Sequence, residues 1–316
     1  MVRLWAFLAL VAVVLATPAR AAYPDRPVTM VVAFAAGGGT DIAARTVARF
    51  MSQRLGQPIV VINKPGAGGE IGFTYLARSA PDGYTLGFIN TPNLVTIPLE
   101  RQAQYHLRDF APIANVVDDP GGIFVRADSR YKSLKDLLDQ ARSRPDGISY
   151  GTTGVGSDDH LSILALQGLT GIRMTHVAYN GSSAVRQALM TGEIAVGALN
   201  IGEGAADARQ GLIRSLGQMG VERWPGAPEV QTLREMGLNV VEGSMRGLAA
   251  PAGTPREVLR VLASAAEAAM QDPEFRRLAD QQYLPLRYLG PDEYLTELQK
   301  LGEHYSRLWE TSPWRE

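Results

Sequence analysis

Two glycine-rich runs sit where a polypeptide backbone could do chemistry. Ala36-Gly37-Gly38-Gly39-Thr40-Asp41 separates the apolar run 28–35 from an amphipathic pattern, and Gly151-Thr152-Thr153-Gly154-Val155-Gly156-Ser157-Asp158 separates the run 148–150 from another. Glycine after a strand lets a ligand approach the backbone closely. The unpaired N–H groups of the first helical turn, assisted by the helix dipole, then form an anion site. Either loop alone is equally consistent with a tight turn whose Asp41 or Ser157 caps the following helix. Found together, in matching positions of two series, they point to anion binding. Neither is a dinucleotide fingerprint, because G-x-G-x-x-G fails at Ile42 and at Asp159, and the lysine of a P-loop is missing from both.

Other chemistry is thin. A third glycine cluster, 63–69, carries Lys64, for which a solvated loop lysine is the commoner reading. Asp158-Asp159-His160 invites a metal site, yet adjacent residues at a helix start diverge and no second cluster completes a shell. Capping and dipole-matched acids are the favoured reading there. Two carboxylates at a helix start would also oppose an anionic ligand unless they turn away, or they could meet an amine or hydroxyl on it. The chain has no G-x-S-x-G elbow and no H-E-x-x-H, and its four histidines are at 106, 160, 176 and 304.

The elements that must position these loops form two α/β series. Apolar runs at 28–35, 59–62 and 84–89 alternate with helical patterns at 41–55 and 69–78. This is the signature of parallel strands buried on both faces. The stretch 110–126, interrupted by Pro120-Gly121-Gly122, reads as a chain crossing between domains better than as a single strand. A second series follows: helix 134–142, strand 148–150, helix 160–168, strand 174–179, helix 182–190 and strand 194–199. Strands at 213–218 and 246–250 then lie on a return path, before a final pair of helices after Pro255 and Pro273. Ligands in such sheets collect beyond the carboxyl ends of the strands.

Composition narrows the classes. The chain of 316 residues has no cysteine, which excludes a disulfide framework, a thiolate metal site, a catalytic thiol and an acylated-cysteine anchor. Its 31 Lys+Arg against 32 Asp+Glu, without a basic run, give no footprint for nucleic acid. Arg3, the uncharged apolar stretch 4–16 and the break at Thr17-Pro18 read as a secretory signal, residues 1–21. Cleavage after Ala19-Arg20-Ala21 would start the mature chain at Ala22. The apolar stretch is too short to span a bilayer, which takes about 20 residues. Loss of Arg3 and Arg20 leaves a net charge of -3. The expected product is soluble, outside the cytoplasm and monomeric, without cofactor or metal.

From Tyr23 to Pro92 the chain resembles the Bug or TctC family, periplasmic solute-binding proteins of tripartite tricarboxylate transporters. The matching pieces are Tyr23-Pro24 with Arg26-Pro27, Ala36-Gly37-Gly38 with Thr40-Asp41 before Ala44-Arg45, residues 63–69 with Ile71-Gly72, and residues 81–86. Gly156-Ser157 with His160-Leu161, residues 179–182 and residues 250–255 extend the likeness over the mature chain. The resemblance implies a type II, Venus-flytrap α/β fold with a parallel-rich sheet in each lobe and a ligand cleft between them. Residues 22–122 and 222–316 would form one lobe and 123–221 the other. It implies a non-enzymatic clamp that presents a small carboxylate to membrane permease subunits. Phe34, the loop Ala36, Gly37, Gly38, Gly39, Thr40 and Asp41, and the loop with Thr152, Gly156 and Ser157 would grip the carboxylate. Asn90, Thr91 and Asn200 would line the remaining cleft. Arg246 stands where many members carry an aromatic pair, and it is either a bidentate partner for a second carboxylate or a surface or interlobe arginine. The rival readings are a secreted enzyme using Asp41, Asp158 or His160 in the same cleft, and a sensor that reports to a membrane kinase.

Overall fold

A computed structural model describes residues 23–314; the expected signal, its cleavage site and Ala22 lie outside the described residues. The first series runs β1 (Val28–Val32), α1 (Gly39–Leu55), β2 (Ile59–Asn63), α2 (Glu70–Ala77), β3 (Thr85–Asn90), α3 (Asn93–Glu100) and β4 (Phe110–Arg126). The second runs α4 (Leu134–Ser143), β5 (Ser149–Thr152), α5 (Asp158–Thr170), β6 (Thr175–Ala178), α6 (Ser182–Thr191), β7 (Val196–Asn200), α7 (Ile201–Arg209) and β8 (Ile213–Gln218). The chain then returns through β9 (Gly243–Pro251), α8 (Arg256–Gln271), α9 (Pro273–Gln281), β10 (Leu286–Leu289) and α10 (Pro291–Thr311).

The strand order is β2-β1-β3-β9-β4-β7-β5-β6, with β8 and β10 also on β4. β1 pairs in parallel with β2 and β3, and β5 pairs in parallel with β6 and β7, so each lobe has a parallel core. β1 and β3 are buried almost throughout, which is why they read as continuous apolar runs. In α1, Ala43, Ala44, Val47, Ala48 and Met51 fall on one buried face that packs against α8, whose Val258, Leu262, Ala265, Ala266 and Ala269 repeat the same spacing. Gly56 closes α1 in the left-handed conformation at φ 68°, where a side chain would be strained. One core gathers the apolar residues of 28–117 and 245–298, and two more gather those of 123–240.

The stretch 110–126 corrects the sequence reading. It is one 17-residue strand and the interlobe crossing at once. Up to Pro120 it pairs with β9, and from Gly121 it pairs with β7 and β8. A Cβ at Gly121 would stand 2.9 Å from the Met219 sulfur, so glycine lets the strand change partners in a tight space. The chain returns beside it, with Gly121 N–H donating to the Glu242 carbonyl at 2.8 Å. The two lobes are thus joined by β4 and by the segment entering β9.

Helices α3, α7 and α10 and strand β10 are additions to the sequence reading. Pro98 inside α3 and the glycines of α7 weaken their local helical signal, so tertiary packing decides. An apolar cluster of Val95 on α3, Leu161 on α5, Tyr305 on α10 and Trp314 packs one lobe against the other.

Candidate functional site

Five helix N-termini converge between the lobes, that of α3 through Asn93. The starts of α1 and α3 come from one lobe, and the starts of α5, α6 and α7 come from the other. They enclose a cavity of about 20 Å³ lined by Phe34, Gly38, Gly39, Thr40, Asn90, Asn93, Ser244 and Arg246 on one side. Thr153, Asp158, Gly181, Ser182, Asn200 and Glu203 line the other side. That volume holds about one water, so an organic molecule enters only when the lobes part. Gly39 N–H donates to Ser182 Oγ at 3.3 Å, Ala35 N–H to the Asn180 carbonyl at 3.4 Å, and Thr96 Oγ1 to the Gly156 carbonyl at 2.8 Å, all across the cleft.

Asp41 braces the first loop from behind. It accepts from Gly37 N–H at 3.0 Å, from Arg45 Nε at 3.0 Å and from Asn63 Nδ2 at 2.9 Å. Burial would raise its pKa, but these hydrogen bonds and the Arg45 charge outweigh burial and hold the carboxyl below its ordinary value. Asp41 therefore shapes the loop and does not line the cavity. Ala36 and Gly37 are exposed at the loop tip, outside the lining. Thr40 faces inward and its Oγ1 accepts from Asn90 Nδ2 at 2.6 Å.

The second glycine loop is arranged differently from the sequence expectation. Four of its N–H groups are consumed by the loop and the first turn of α5: Thr153 N–H donates to Asp159, Gly154 N–H to Thr152 Oγ1, Gly156 N–H to His160 Nδ1, and Ser157 N–H to the Gly154 carbonyl. Thr152, Gly156 and Ser157 are buried behind the cavity, with Thr152 Oγ1 against His176 Nε2 at 2.6 Å and Ser157 capping α5 through His160 N–H. Among loop residues, Thr153 and Asp158 reach the lining. The element facing the α1 start is instead the 180–182 turn before α6, where Gly181 has φ 127° and the chain passes close to Ala35. Thr91 also lies outside the lining. Its Oγ1 accepts from Met245 N–H at 2.9 Å and its carbonyl accepts from Ser244 Oγ, which ties β3 to β9.

Arg246 is buried at 1% exposure, which removes the surface reading. Its guanidinium meets Asp119 at 3.3 Å, Glu203 at 3.1 Å and the Asn200 amide oxygen. Asn200 Nδ2 in turn donates to Asp158 at 2.6 Å and to the Asp119 carbonyl at 2.8 Å. Burial pushes Asp119 up to about 8, with Arg246 opposing, and pushes Asp158 up to about 6 against the Asn200 hydrogen bond. Asp159 is raised well above its ordinary value by burial and by Asp158. Arg246 is thus largely committed to protein carboxylates, with its Nε left buried and unpartnered. Its edge still reaches the cavity.

Asp158, Asp159 and His160 diverge. Asp158 turns to Asn200 and Asp159 to Thr153, while His160 stacks on His176 with ring centroids 4.2 Å apart. Burial and the His176 charge push His160 down to about 3, leaving a neutral ring behind the loop. Glu203, Ser182, Asn93 and Ser244 were not among the expected lining residues. A signal for Glu203 existed, since Asn200 followed by Glu203 has capping-box spacing, and Glu203 accepts from Asn200 N–H at 3.4 Å.

Residues 43–292 match the family described as the tripartite tricarboxylate transporter family receptor. A curated relative from Cupriavidus necator, the UPF0065 protein in the gbd 5' region, is 33% identical over 86% of this chain and 83% of its own length. The structure of the periplasmic binding protein BugD superposes with a TM-score of 0.87 at 30% identity, covering 93% of this chain and 99% of BugD. MatC of Rhodopseudomonas palustris with bound malate superposes with a TM-score of 0.84 at 29% identity, covering 90% and 99%. With the two-lobed fold and the helix starts facing one another across its cleft, these matches make the chain a member of the Bug/TctC family of tripartite tricarboxylate transporter receptors.

Proposed function

We propose that the protein works outside the cytoplasm, captures a small organic carboxylate by closing its lobes, and presents it to membrane permease subunits. The observation that carries this reading is the meeting of α1 and α6, from opposite lobes, at one cavity, with Gly39 N–H 3.3 Å from Ser182 Oγ. Two helix N-termini and a hydroxyl supply donors and positive dipole ends to one anionic group without a dedicated cation. The malate bound by MatC supports the ligand class. Phe34, Gly38, Gly39, Thr40, Asn90 and Ser182 would hold the carboxylate. Residues 22–122 with 222–316, and 123–221, would move as the two lobes about β4 and the segment entering β9. Among the described residues no helix is long and apolar enough to cross a membrane, in keeping with delivery to a separate permease.

Of the three groups the enzyme alternative would use, Asp41 is engaged by Arg45 and Asn63, and His160 by Gly156 and His176, while Asp158 lines the cavity and accepts from Asn200 Nδ2, so the enzyme alternative is decided by the fate of the ligand. Thermal melts with a panel of mono-, di- and tricarboxylates, followed by chromatography of the incubated ligand, test the reading. A binding protein shows a rise in Tm with the ligand recovered unchanged. Consumption of the ligand would make it an enzyme.

A further inference from the structure

We propose that the protein captures its ligand together with a proton, which Asp158 gains from solvent and then, as a neutral carboxyl group, shares in a hydrogen bond to the ligand carboxylate. This rests on the carboxylate reading above and deepens it.

The cavity has no wall free of acid. Asp158 and Glu203 both line it, and Glu203 Oε1 reaches within 2.5 Å of the Cβ position at Gly39, in the α1 start itself. An anion held by the helix starts therefore lies beside carboxyl groups wherever it sits. The two acids are not equivalent. Glu203 meets Arg246 at 3.1 Å, which supplies it with a counter-charge. Asp158, 4% exposed, accepts at 2.6 Å from Asn200 Nδ2, a neutral donor, and the guanidinium that could offset its charge is already shared between Asp119 and Glu203. Two ionised carboxylates side by side in a buried site repel one another. A proton between them turns that repulsion into a charge-assisted hydrogen bond, with the neutral acid as donor.

The surroundings of Asp158 favour that proton. Facing it are Asp119 on β4, Glu203 on α7, Arg246 on β9 with Glu242 just before it, Tyr305 on α10 and Asp159 on α5. His160, next along α5, is a neutral ring. Burial pushes Asp158 up to about 6, with the Asn200 hydrogen bond opposing, and an added anion pushes the same way. A separate feature shows how little of the acid the site neutralises. Asp159 Oδ1 is buried without a hydrogen-bond partner, in a residue 1% exposed, although Asp159 Oδ2 takes both the N–H and the hydroxyl of Thr153. A buried carboxyl oxygen without a donor costs far less in a neutral group than in an ionised one.

The sign of the linkage follows. A proton taken up on binding means that the pKa of Asp158 is higher in the complex. Affinity is then greatest at low pH and falls as pH rises above about 6, where Asp158 has lost its proton before the ligand arrives. Calorimetric titration of the mature protein with malate, succinate, adipate and propionate tests this at about pH 7.5, where all four are ionised. Two amine buffers of different ionisation enthalpy are used, because the difference in observed heat counts the protons exchanged. At least about half a proton should be taken up per ligand bound, and Kd should rise several-fold between about pH 6.5 and 7.5. Asp158→Asn, which puts an amide donor in place of the carboxyl, should bind without proton uptake and with a Kd that no longer follows pH. Glu242→Gln should keep both effects. Should Asp158→Asn fail to fold, the proton count of the wild type and of Glu242→Gln still decides. Binding by the wild type without uptake, or with proton release, would overturn the proposal and leave the carboxylate reading standing. Uptake that survives Asp158→Asn, or that is lost in Glu242→Gln, would place the proton elsewhere and overturn it too. Failure of all four acids to bind, by calorimetry and by thermal shift, would overturn both.

Discussion

Gly39 carries the sharpest demand in the cleft. A Cβ there would stand 2.5 Å from Glu203 Oε1 and 2.7 Å from Arg246 Nη1, both buried and paired with one another. Gly38 is less confined, with Ser182 Oγ 3.0 Å from its would-be Cβ. Gly39 does not adopt a left-handed backbone, and alanine is the better helix former by about 1 kcal/mol, so Gly39→Ala should leave the separated lobes folded. Its collision with Glu203 arises only when the lobes meet, whereas Arg246 belongs to the same lobe and the end of its side chain must give way in either state. The expected result is a ligand affinity lowered by about tenfold or more, with an unchanged circular dichroism melt of the ligand-free protein. Unaltered affinity by calorimetry would show that Gly39 and Glu203 do not meet in the bound form. Glycine content drew attention to this loop in the sequence. What sequence could not separate was which glycine faces inward, because that depends on Asp41 folding the loop tip back through Gly37 and Asn63.

Among the elements, the crossing between lobes holds a titrating group. Glu242 lies just before β9, and Tyr305 on α10 donates its hydroxyl to Glu242 Oε2 at 2.8 Å. Burial pushes the Glu242 carboxyl up to about 7 despite that hydrogen bond. A pKa raised in the folded state means the folded protein holds this proton where the unfolded chain has lost it. The resulting stability is present at low pH and is lost as pH rises from about 4.5 through 7. Urea unfolding at about pH 5 and pH 8 should therefore show a fall for the wild type that Glu242→Gln diminishes, by at most about 3 kcal/mol. Parallel profiles for the two proteins would exclude Glu242 as a source. The alternating strands and helices were legible because a strand buried on both faces stays apolar without a break, as in β1 and β3. Helix α7 was not, since Gly202 and Gly204 dilute its periodicity. Both are required by packing, where Cβ atoms would meet Tyr283 and Phe124 at 2.4 Å. Losing α7 from view hid Glu203. It also made the acids at α5 look like isolated caps, when they belong to a network centred on Arg246.

For the whole molecule, the fold class and family could be read from ordered short motifs, and the two lobes from the doubled α/β series. The pairing of elements across the cleft could not. Sequence put the 151–158 loop opposite the first glycine loop, because both have the same composition and place in their series. In three dimensions the 180–182 turn takes that position, and the longer loop satisfies its own N–H groups. The consequence is a cleft in which helix-start donors and the acids Asp158 and Glu203 lie side by side, in a protein whose overall charge is too small to select a ligand by attraction. On the proposed reading selection then depends on closure, which an anion shared by α1 and α6 favours by binding between them. The chain has no native cysteine, so a cysteine at exposed Val60 in one lobe and at exposed Leu169 in the other can each be labelled cleanly. The interlobe distance between these labels, followed as carboxylate-bearing ligands are titrated, tests the clamp most directly. The account predicts a saturable shift to a narrower, shifted distance distribution that Gly39→Ala suppresses. A distribution that stays fixed while a carboxylate binds to saturation would contradict it.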